Sequence, residues 1–391
     1  MTAPPAPSVS APRASAPPDV LHLATTHTAG DPRVAQKEAR TLAEAGLRVG
    51  LVLPHDGDGV GPGGVAVYGV ERPATGRDRV LRTTPAVVRR ALAEAGPRTV
   101  FHLHDADLLA HGLALALRGR RVVYDAHEDT PRQALHQPWI PARLRRPAGW
   151  AYGAAEALGG RLFAGVVAAE PAIARRYPAA KTALVRNFPL LGELAVPGAA
   201  PYAERPAAVA YVGSITRARG AEEMARAVAG RGATLHLAGP FHPPALADAF
   251  RGRGGVVVHG VLDRPAVAAL LGGVRAGLSV LHPTPKYLEA YPTKLFEYMA
   301  AGLPLVASDF PVIRQFVEPA QCGILVDPLD VDALGRAVGW ILDHPAQAEA
   351  MGARGRAAVE ASYTWAPEGR RLVAFYDALR AGRPPGQPIP A

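Results

Sequence analysis

The stretch "VLHLATTHTAGDPRVAQKEARTLAEAGLRVGLVLP" (residues 20–54) carries the pattern that decides the fold. Its first residues, "VLHLA" (20–24), and its last, "LRVGLVLP" (47–54), are short runs rich in Leu and Val, which is typical of buried strands. Between them, residues 31–46 open with an Asp-Pro pair and close on a glycine, which are start and stop signals of a helix. A strand, a helix and a strand in this order predict a βαβ unit and a parallel sheet.

The same alternation continues along the chain and is interrupted once. Further strand-like runs occur at residues 98–105, 120–129, 165–169, 208–213, 233–239, 255–260, 276–281, 303–308 and 323–327. The interruption, residues 187–207, is rich in Pro, Gly and Ala and shows no period, which is typical of a linker. We therefore predict an α/β protein with two Rossmann-like, doubly wound domains in tandem and a ligand cleft between them.

These signals predict four segments. Residues 1–19 form a Pro/Ala/Ser-rich tail that is expected to be disordered. Residues 20–190 and 191–365 form the two Rossmann-like domains. Residues 366–391 form a final helix and tail, and this helix is expected to pack back on the N-terminal domain.

Composition excludes several classes of function. The 391-residue chain carries a net charge of +9, but no basic block with interleaved aromatic residues, so no nucleic-acid partner is predicted. Anionic small molecules and an anionic membrane surface remain open as partners. The single cysteine, Cys322, excludes an intramolecular disulfide and a multi-cysteine metal site. No apolar run approaches the roughly 20 residues that span a bilayer, and no signal core is visible, so a cytoplasmic location is expected.

Polar residues that suit ligand binding follow three of the predicted strands. In "YDAHEDTP" (124–131), His127 and Glu128 follow a hydrophobic run. The two acids that follow His127, Glu128 and Asp129, have two interpretations. They either stabilise the start of the next helix or flank a histidine that faces a ligand. In "YVGSITRARG" (211–220), a glycine turn and two arginines precede a helix. This pattern is typical of a phosphate site, although a plain turn with exposed arginines is the alternative in so Arg-rich a chain.

The third stretch is "YLEAYPTKLFEYMAAGLPLVASDFP" (287–311), which combines two acids with a lysine at a predicted helix start. Thr293 is the candidate cap of this helix. Lys294 then lies in the first turn, where the helix dipole disfavours a cation, and an anionic ligand at that end would resolve the conflict. Glu289 precedes the helix and Glu297 lies within it, so both acids are expected to face one pocket.

Together these three stretches resemble the retaining, GT-B-fold glycosyltransferases of family 4. The resemblance covers about residues 20–382 and is most specific at the E-x7-E spacing of Glu289 and Glu297. It implies that Glu297 binds the ribose of a donor nucleotide, and that Glu289 and His127 are catalytic residues beside the transferred sugar. The donor-binding set that we predict is Gly213, Arg217, Arg219, Val261, Thr293, Lys294, Leu295 and Glu297, of which Lys294 comes from the dipole argument alone.

The resemblance also implies the substrates. The donor would be a UDP- or GDP-linked sugar, and no metal or other cofactor would be needed. The N-terminal domain would bind an acceptor glycan, a lipid-linked sugar or a small molecule, with His27, Arg33 and Glu128 on the acceptor side. Asp31 and Pro32, in the same segment as His27, are better explained by helix capping.

Two departures from the family concern the donor site, the first in the phosphate turn and the second in the sugar pocket. Many members carry a basic residue where this chain has Ser214, and Gly-rich residues where it has "AYPT" (290–293). A nucleotide-sugar 2-epimerase on the same fold and a binding subunit without chemistry are the alternative functions. The segment 140–163 combines arginines with Trp150 and is either a helix that touches anionic lipid or an ordinary packing helix.

Overall fold

The computed structural model describes residues 16–135, 140–194 and 200–386. Most of the predicted tail, up to residue 15, and residues 195–199 of the predicted linker lie outside these ranges. The chain divides into two compact units, which we describe separately. Unit 1 comprises Met1–Asn187 and Ala366–Ala391, and unit 2 comprises Phe188–Trp365.

Unit 1 contains one eight-stranded sheet with the order β3-β4-β2-β1-β5-β6-β7-β8. All neighbours are parallel except β3 and β4. The strands are β1 (Val20–Leu23), β2 (Val49–Pro54), β3 (Gly59–Val60), β4 (Ala66–Val70), β5 (Val100–Leu103), β6 (Arg121–Ala126), β7 (Gly165–Ala168) and β8 (Thr182–Leu184).

Helices connect these strands and cover the sheet. The α-helices are α1 (Arg40–Glu44), α2 (Gly76–Asp78), α3 (Thr84–Glu94), α4 (Leu109–Leu117), α5 (Thr130–Ala134), α6 (Arg145–Leu162) and α7 (Pro171–Ala174). The segments Val34–Ala39 and Arg79–Thr83 are wider, π-helical turns that lead into α1 and α3. At the first of these turns the carboxylate of Asp31 accepts the backbone N–H groups of Arg33 and Val34, both at 2.8 Å, which supports the capping interpretation of Asp31.

Unit 2 contains a six-stranded, fully parallel sheet with the order β11-β10-β9-β12-β13-β14. Its strands are β9 (Ala208–Val212), β10 (Thr234–Ala238), β11 (Val256–Gly260), β12 (Ala276–Ser279), β13 (Leu305–Ser308) and β14 (Gly323–Val326). Its helices are α8 (Ala221–Val228), α9 (Arg264–Gly272), α10 (Thr293–Ala300), α11 (Pro311–Ala320), α12 (Val331–Asp343) and α13 (Pro345–Ser362).

The last helix, α14 (Trp365–Arg380), begins at the end of unit 2 and continues in unit 1. Phe375 and Tyr376 are fully buried, and the Tyr376 hydroxyl lies 2.9 Å from Nδ1 of His102 on β5. Glu368, also buried, accepts the backbone N–H and the guanidinium of Arg186. The helix is therefore an integral part of unit 1.

Every strand run named in the sequence analysis contains an observed strand, which confirms two parallel α/β domains. Three strands, β3, β4 and β8, are not predicted by the sequence pattern. β3 and β8 span only two and three residues, and β4 carries a glycine, so none has a long apolar run. Among the described residues, no helix is both long enough and apolar enough to cross a bilayer.

Candidate functional site

In unit 2, two cations flank the turn that follows β9. Gly213 adopts φ +125°, a conformation that favours glycine, and a Cβ at this position would lie 3.6 Å from Nζ of Lys294. The same point lies 4.0 Å from Nη1 of Arg219. The absence of a side chain at Gly213 thus leaves space between a lysine and an arginine, which is suited to a phosphate group.

Lys294 is buried, with 8% of its surface exposed. Burial, together with the positive charge of Arg219, lowers the pKa of Lys294 from its ordinary value near 10.5 to about 7. Its Nζ lies 4.9 Å from the ring centroid of Tyr211, and no hydrogen bond to Nζ occurs within the described part of the chain. A buried amine next to another cation favours an anion at this point.

Arg219 is half-buried and already oriented. It donates from Nε to the hydroxyl of Tyr287 (3.1 Å) and from Nη1 to the carbonyl of Ser214 (3.3 Å). Arg217, the second arginine of the predicted phosphate turn, is 76% exposed and pairs instead with Glu222 at 3.2 Å. The geometry therefore brings Arg219, rather than Arg217, together with Lys294.

Glu297 belongs to an ion-pair network that the sequence analysis missed. Arg264 donates from Nη1 to Oε1 of Glu297 (2.8 Å) and forms two further bonds, of 2.6 and 2.9 Å, to the carboxylate of Glu193. Arg264 is the first residue of α9, whose N-terminus is capped by Asp263. Glu193 lies in the predicted linker, so no sequence motif links these residues.

Helix α10 differs from the prediction at two positions. Thr293 is the first helical residue, exposed, and Pro292 occupies the cap position, with no side-chain cap bond. Leu295 is fully buried in the hydrophobic core, and its N–H already donates to the carbonyl of Pro292. Because core packing takes its side chain and the first helical turn takes its amide, Leu295 offers a ligand no free group.

The two remaining unit 2 candidates are exposed. Val261, directly after β11, has 76% of its surface accessible. Glu289 lies on an exposed turn before α10. Both are accessible from solvent, as contacts with a base and a sugar would require.

Unit 1 contains a polar cavity of about 300 Å³ at the ends of β5 and β6. Three of its lining residues, His27, His127 and Glu128, are candidates predicted from the sequence. Asp105 and Asp107 also line the cavity and are not among the predicted residues. The full set of lining residues with charged or titratable side chains is His27, Arg79, His104, Asp105, Asp107, Tyr124, Asp125, His127, Glu128 and Tyr152.

A hydrogen bond to Asp31 and an ion pair with Asp105 fix the orientation of His27 in this cavity. Its Nδ1 lies 2.8 Å from Asp31, and its Nε2 lies 3.8 Å from Asp105. Although burial lowers the pKa of His27, the bond with Asp31 and the charge of Asp105 outweigh it and raise the pKa to about 9. His27 is therefore a cation at neutral pH.

Arg33, expected on the acceptor side and available to a ligand, is instead buried beneath the cavity. It donates from Nε and Nη2 to the two carboxylate oxygens of Asp125 (2.9 and 2.7 Å) and from Nη1 to the carbonyl of Val185. Its Nη2 also lies 3.0 Å from Glu38. The helix start at Asp31 turns the side chain into the core, where two carboxylates and a backbone carbonyl bind its nitrogens.

The register of the sheet assembles a buried group of metal-binding residue types. His22 on β1 and His102 on β5 are paired in register, and His104 follows β5. One ligand atom from each of these histidines and from Glu38 lies within 4.8 Å of the others. His104, Asp125 and His127 form a second such group. Sequence patterns do not predict either group, because the residues come from distant segments.

The comparisons with known proteins match both units. The family described as "Glycosyltransferase Family 4" matches residues 28–181, and the family described as "Glycosyl transferases group 1" matches residues 199–358.

Curated relatives match over shorter stretches. The chain is 33% identical over 94 residues to MMP alpha-(1->4)-mannosyltransferase of Mycolicibacterium hassiacum, which is 24% of this chain and 23% of that protein. It is 41% identical over 77 residues, 20% of each chain, to a GDP-mannose-dependent monoacylated alpha-(1-6)-phosphatidylinositol monomannoside mannosyltransferase of Corynebacterium glutamicum. It is 32% identical over 129 residues to glycogen synthase of Mycobacterium tuberculosis, 33% of this chain and 30% of that protein. Each alignment thus spans less than a third of the relative's length.

Solved structures match over nearly the whole chain. Sucrose-phosphate synthase from Thermosynechococcus elongatus has a TM-score of 0.72 at 21% identity and covers 93% of this chain and 100% of its own. HepE of Anabaena, in complex with UDP and glucose, has a TM-score of 0.69 at 14% identity, covering 92% and 100%. WaaG, a glycosyltransferase involved in lipopolysaccharide biosynthesis, has a TM-score of 0.67 at 16% identity, covering 90% and 98%. The fold is that of GT-B proteins, and the chain belongs to the glycosyltransferases of family 4, with a group 1 domain as its second half.

Proposed function

We propose that this protein transfers a hexosyl group from a nucleotide-diphosphate sugar to an acceptor hydroxyl, with retention of configuration. The observation that carries the proposal is the pair of cations at Gly213 in unit 2. Lys294 and Arg219 flank a residue without a side chain, and Lys294 is buried without a counter-ion hydrogen bond among the described residues. A diphosphate bound there would supply the missing negative charge.

The same two residues suit the chemistry of the reaction. When the bond between sugar and diphosphate breaks, negative charge develops on the leaving phosphate. Cations held in a half-buried position stabilise such charge more strongly than cations in water. Arg219 is held there by Tyr287 and Ser214, so little reorganisation would be needed at the moment of reaction.

The remainder of the donor would extend from this point across unit 2. We assign the ribose to Glu297, whose carboxylate Arg264 orients, and the base to the backbone near Val261. Glu289, on the exposed turn before α10, would lie beside the sugar. A GDP- or UDP-linked donor is proposed, since GDP-mannose-dependent enzymes are among the relatives and UDP complexes among the similar structures.

The acceptor would bind in the unit 1 cavity, with His127 as the catalytic residue that contacts the substrates. His27 and Glu128 line the same cavity and would contact hydroxyl groups. No divalent metal is needed in this proposal, because Lys294 and Arg219 take the part that a cation plays at a diphosphate.

A cytoplasmic location with peripheral contact to an anionic membrane is also proposed. Helix α6 carries Trp150, which is 78% exposed, and exposed arginines lie just before the helix, at Arg143, and in its first turn, at Arg146. Such a helix surface suits a lipid interface. Flotation with anionic liposomes that is lost on replacing Arg143 and Arg146 by serine would support this contact, and no flotation at low salt would contradict it.

The proposed function is tested by incubating the full chain with a panel of nucleotide sugars and an acceptor extract. Release of nucleoside diphosphate that depends on the extract is expected, and Glu297→Ala should weaken donor binding. His127→Ala should lower turnover by about 10²–10⁴-fold. Epimerisation of the sugar without an acceptor would indicate the epimerase alternative, and tight donor binding without any turnover would indicate a binding subunit.

A further inference from the structure

Asp125, at the end of β6, is a carboxylate at the base of the cavity that accepts four hydrogen bonds. Its side chain is fully buried. Arg33 donates to both oxygens, and the Nδ1 atoms of His104 and His127 lie 3.0 and 3.1 Å from Oδ2. Three side chains from different segments thus converge on one carboxylate.

The ionised state of Asp125 decides which partner donates each of these hydrogen bonds. Burial alone would raise the pKa of Asp125, but the charge of Arg33 and the adjoining hydrogen bonds outweigh it and hold the pKa well below the usual range. An ionised carboxylate only accepts hydrogen bonds. The proton of neutral His127 must therefore be on Nδ1, which leaves Nε2 with its lone pair.

Nε2 of His127 is the ring nitrogen that remains for a substrate. His127 lines the cavity with 17% of its side chain exposed, and no hydrogen bond to Nε2 occurs among the described residues. We propose that Asp125 is a positioning residue, which holds His127 in the Nδ1–H tautomer so that Nε2 accepts a hydrogen bond from a substrate hydroxyl. The role toward substrate rests on the proposed function, whereas the tautomer does not.

The hydrogen bonds continue from Asp125 to two buried histidines, His104 and His22, and the same reasoning fixes their direction. Because His104 donates its Nδ1 proton to Asp125, its Nε2 must accept, and Nδ1 of His22 is the donor at 2.8 Å. Burial lowers the pKa of His22 well below its usual range, so this ring stays neutral. The chain from His22 to Asp125 therefore has one arrangement of protons, which stabilises the orientation of the carboxylate.

The buried group of His22, Glu38, His102 and His104 is better explained by hydrogen bonds than by a bound metal ion. Two nitrogens on one tetrahedral zinc, at about 2.0–2.1 Å each, would lie about 3.4 Å apart, which is farther than the observed 2.8 Å between His22 and His104. Nδ1 of His102 is bonded to the Tyr376 hydroxyl. The guanidinium of Arg33, 3.0 Å from Glu38, adds a positive charge that would repel the ion.

The first test uses the unaltered protein. Nitrogen NMR of the full chain labelled at histidine, with His127 assigned through His127→Gln, reports the tautomer at a pH about two units above the usual imidazole pKa. We expect the Nδ1–H form, the opposite of the form that free histidine prefers in water. A neutral Nε2–H ring would overturn the proposal, as would one equivalent of bound zinc in the purified protein.

The second test replaces the carboxylate by an amide. Asp125→Asn should lower kcat by at least about tenfold and leave the donor KM within about twofold, because the tautomer is lost while the donor site in unit 2 is intact. The NMR signal of His127 should shift to a mixture of tautomers. Glu368→Gln is the matched control, since Glu368 is another buried carboxylate of unit 1 that binds an arginine and does not line the cavity.

The outcomes separate the two hypotheses. A folded Asp125→Asn variant whose His127 keeps the Nδ1–H form, or whose kcat equals that of the control, contradicts the positioning role. If no nucleotide sugar is turned over by the unaltered protein, the proposed function fails, while the tautomer measurement still decides the arrangement at Asp125. If Asp125→Asn does not fold, the measurement on the unaltered protein stands alone.

Discussion

At the level of single residues, Lys294 is the position where stability and the proposed chemistry oppose each other most directly. A buried amine loses hydration that no counter-ion hydrogen bond replaces among the described residues, and Arg219 adds repulsion. The depressed pKa means that the unfolded chain binds a proton that the folded chain binds less well. The protein thus carries a destabilising group at the point where a diphosphate would bind.

Lys294→Met is therefore expected to stabilise the unliganded protein by about 1–3 kcal/mol, because an apolar side chain of similar length fits a buried site. The gain should be largest below a pH of about 7 and fade as the pH rises toward about 10, where the unfolded lysine also loses its proton. Chemical denaturation across this pH range measures it. The same variant should lose the thermal shift caused by a nucleotide sugar, and an unchanged shift would exclude Lys294 from the donor site.

The affinity for a nucleotide sugar should depend on pH with a defined sign. The diphosphate diester keeps a constant charge, so the change comes from the protein. Below a pH of about 7 Lys294 is already protonated, and above it binding must take up a proton, so affinity should fall by up to about tenfold per pH unit. Calorimetry measures the affinities, and Lys294→Arg, which stays charged, should show a flat profile.

At the level of secondary-structure elements, close contacts between backbones decide how unit 2 is packed. Gly302 ends the turn after α10, and its carbonyl oxygen lies against Gly352 in α13. A Cβ on Gly352 would overlap that oxygen. A second contact, between helices α9 and α10, is polar. Arg264 at the start of α9 forms ion pairs with Glu297 of α10 and with Glu193.

Gly352→Ala should destabilise the protein by about 3 kcal/mol, because backbone atoms cannot move aside as flexible side chains do. Gly339→Ala is the matched control. Gly339 lies within α12, and a Cβ there meets nothing within 4 Å, so alanine should be neutral or stabilise by up to about 1 kcal/mol. Urea denaturation of both variants gives the comparison, and equal midpoints would contradict the packing argument.

Arg264→Ala should weaken nucleotide-sugar binding by about tenfold, because Glu297 loses the charged hydrogen bond that orients it. Calorimetric Kd values measure the effect. Arg314→Ala is the control, since Arg314 donates two comparable hydrogen bonds to Asp309 on the exposed surface of the same unit. If the two variants bind the donor equally well, Arg264 has no part in the site.

At the level of the whole molecule, the two units are not consecutive halves of the chain. Unit 1 is completed by α14, which brings Phe375 against Gly165 of β7 and Tyr376 against His102 of β5. Glu368 of the same helix binds Arg186. The apolar and polar contacts of unit 1 thus depend on residues far along the chain, whereas Phe188–Trp365 contains all the strands of its own sheet.

Removing residues 366–391 should therefore unfold unit 1 and leave unit 2 folded. Loss of two fully buried aromatic side chains alone costs about 6–10 kcal/mol, which is comparable to the stability of a whole domain. Scanning calorimetry of a separate fragment, residues 188–365, gives the melting transition of unit 2. The truncated chain should show the same transition. A truncated chain that melts like the full one would show that α14 is dispensable.

Local sequence determined most of the elements and indicated the kinds of chemistry in this protein. Runs of Leu and Val, helix start and stop signals, and glycine turns act over a few residues. The two parallel α/β domains could therefore be predicted, and Arg219, Lys294, Glu297 and His127 could be selected as candidates. Family resemblance then assigned roles to those candidates. What those signals could not show is which side chains a candidate touches.

Only the tertiary structure decided those contacts. In the structure Arg264 binds Glu297, and Leu295 packs in the core. Arg33, predicted on the acceptor side, forms a buried bond with Asp125 instead. These contacts join segments 33 and 92 residues apart, or depend on how a helix is turned against a sheet. They are decided by strand register and side-chain packing, because distant atoms meet only after the whole domain has closed around them.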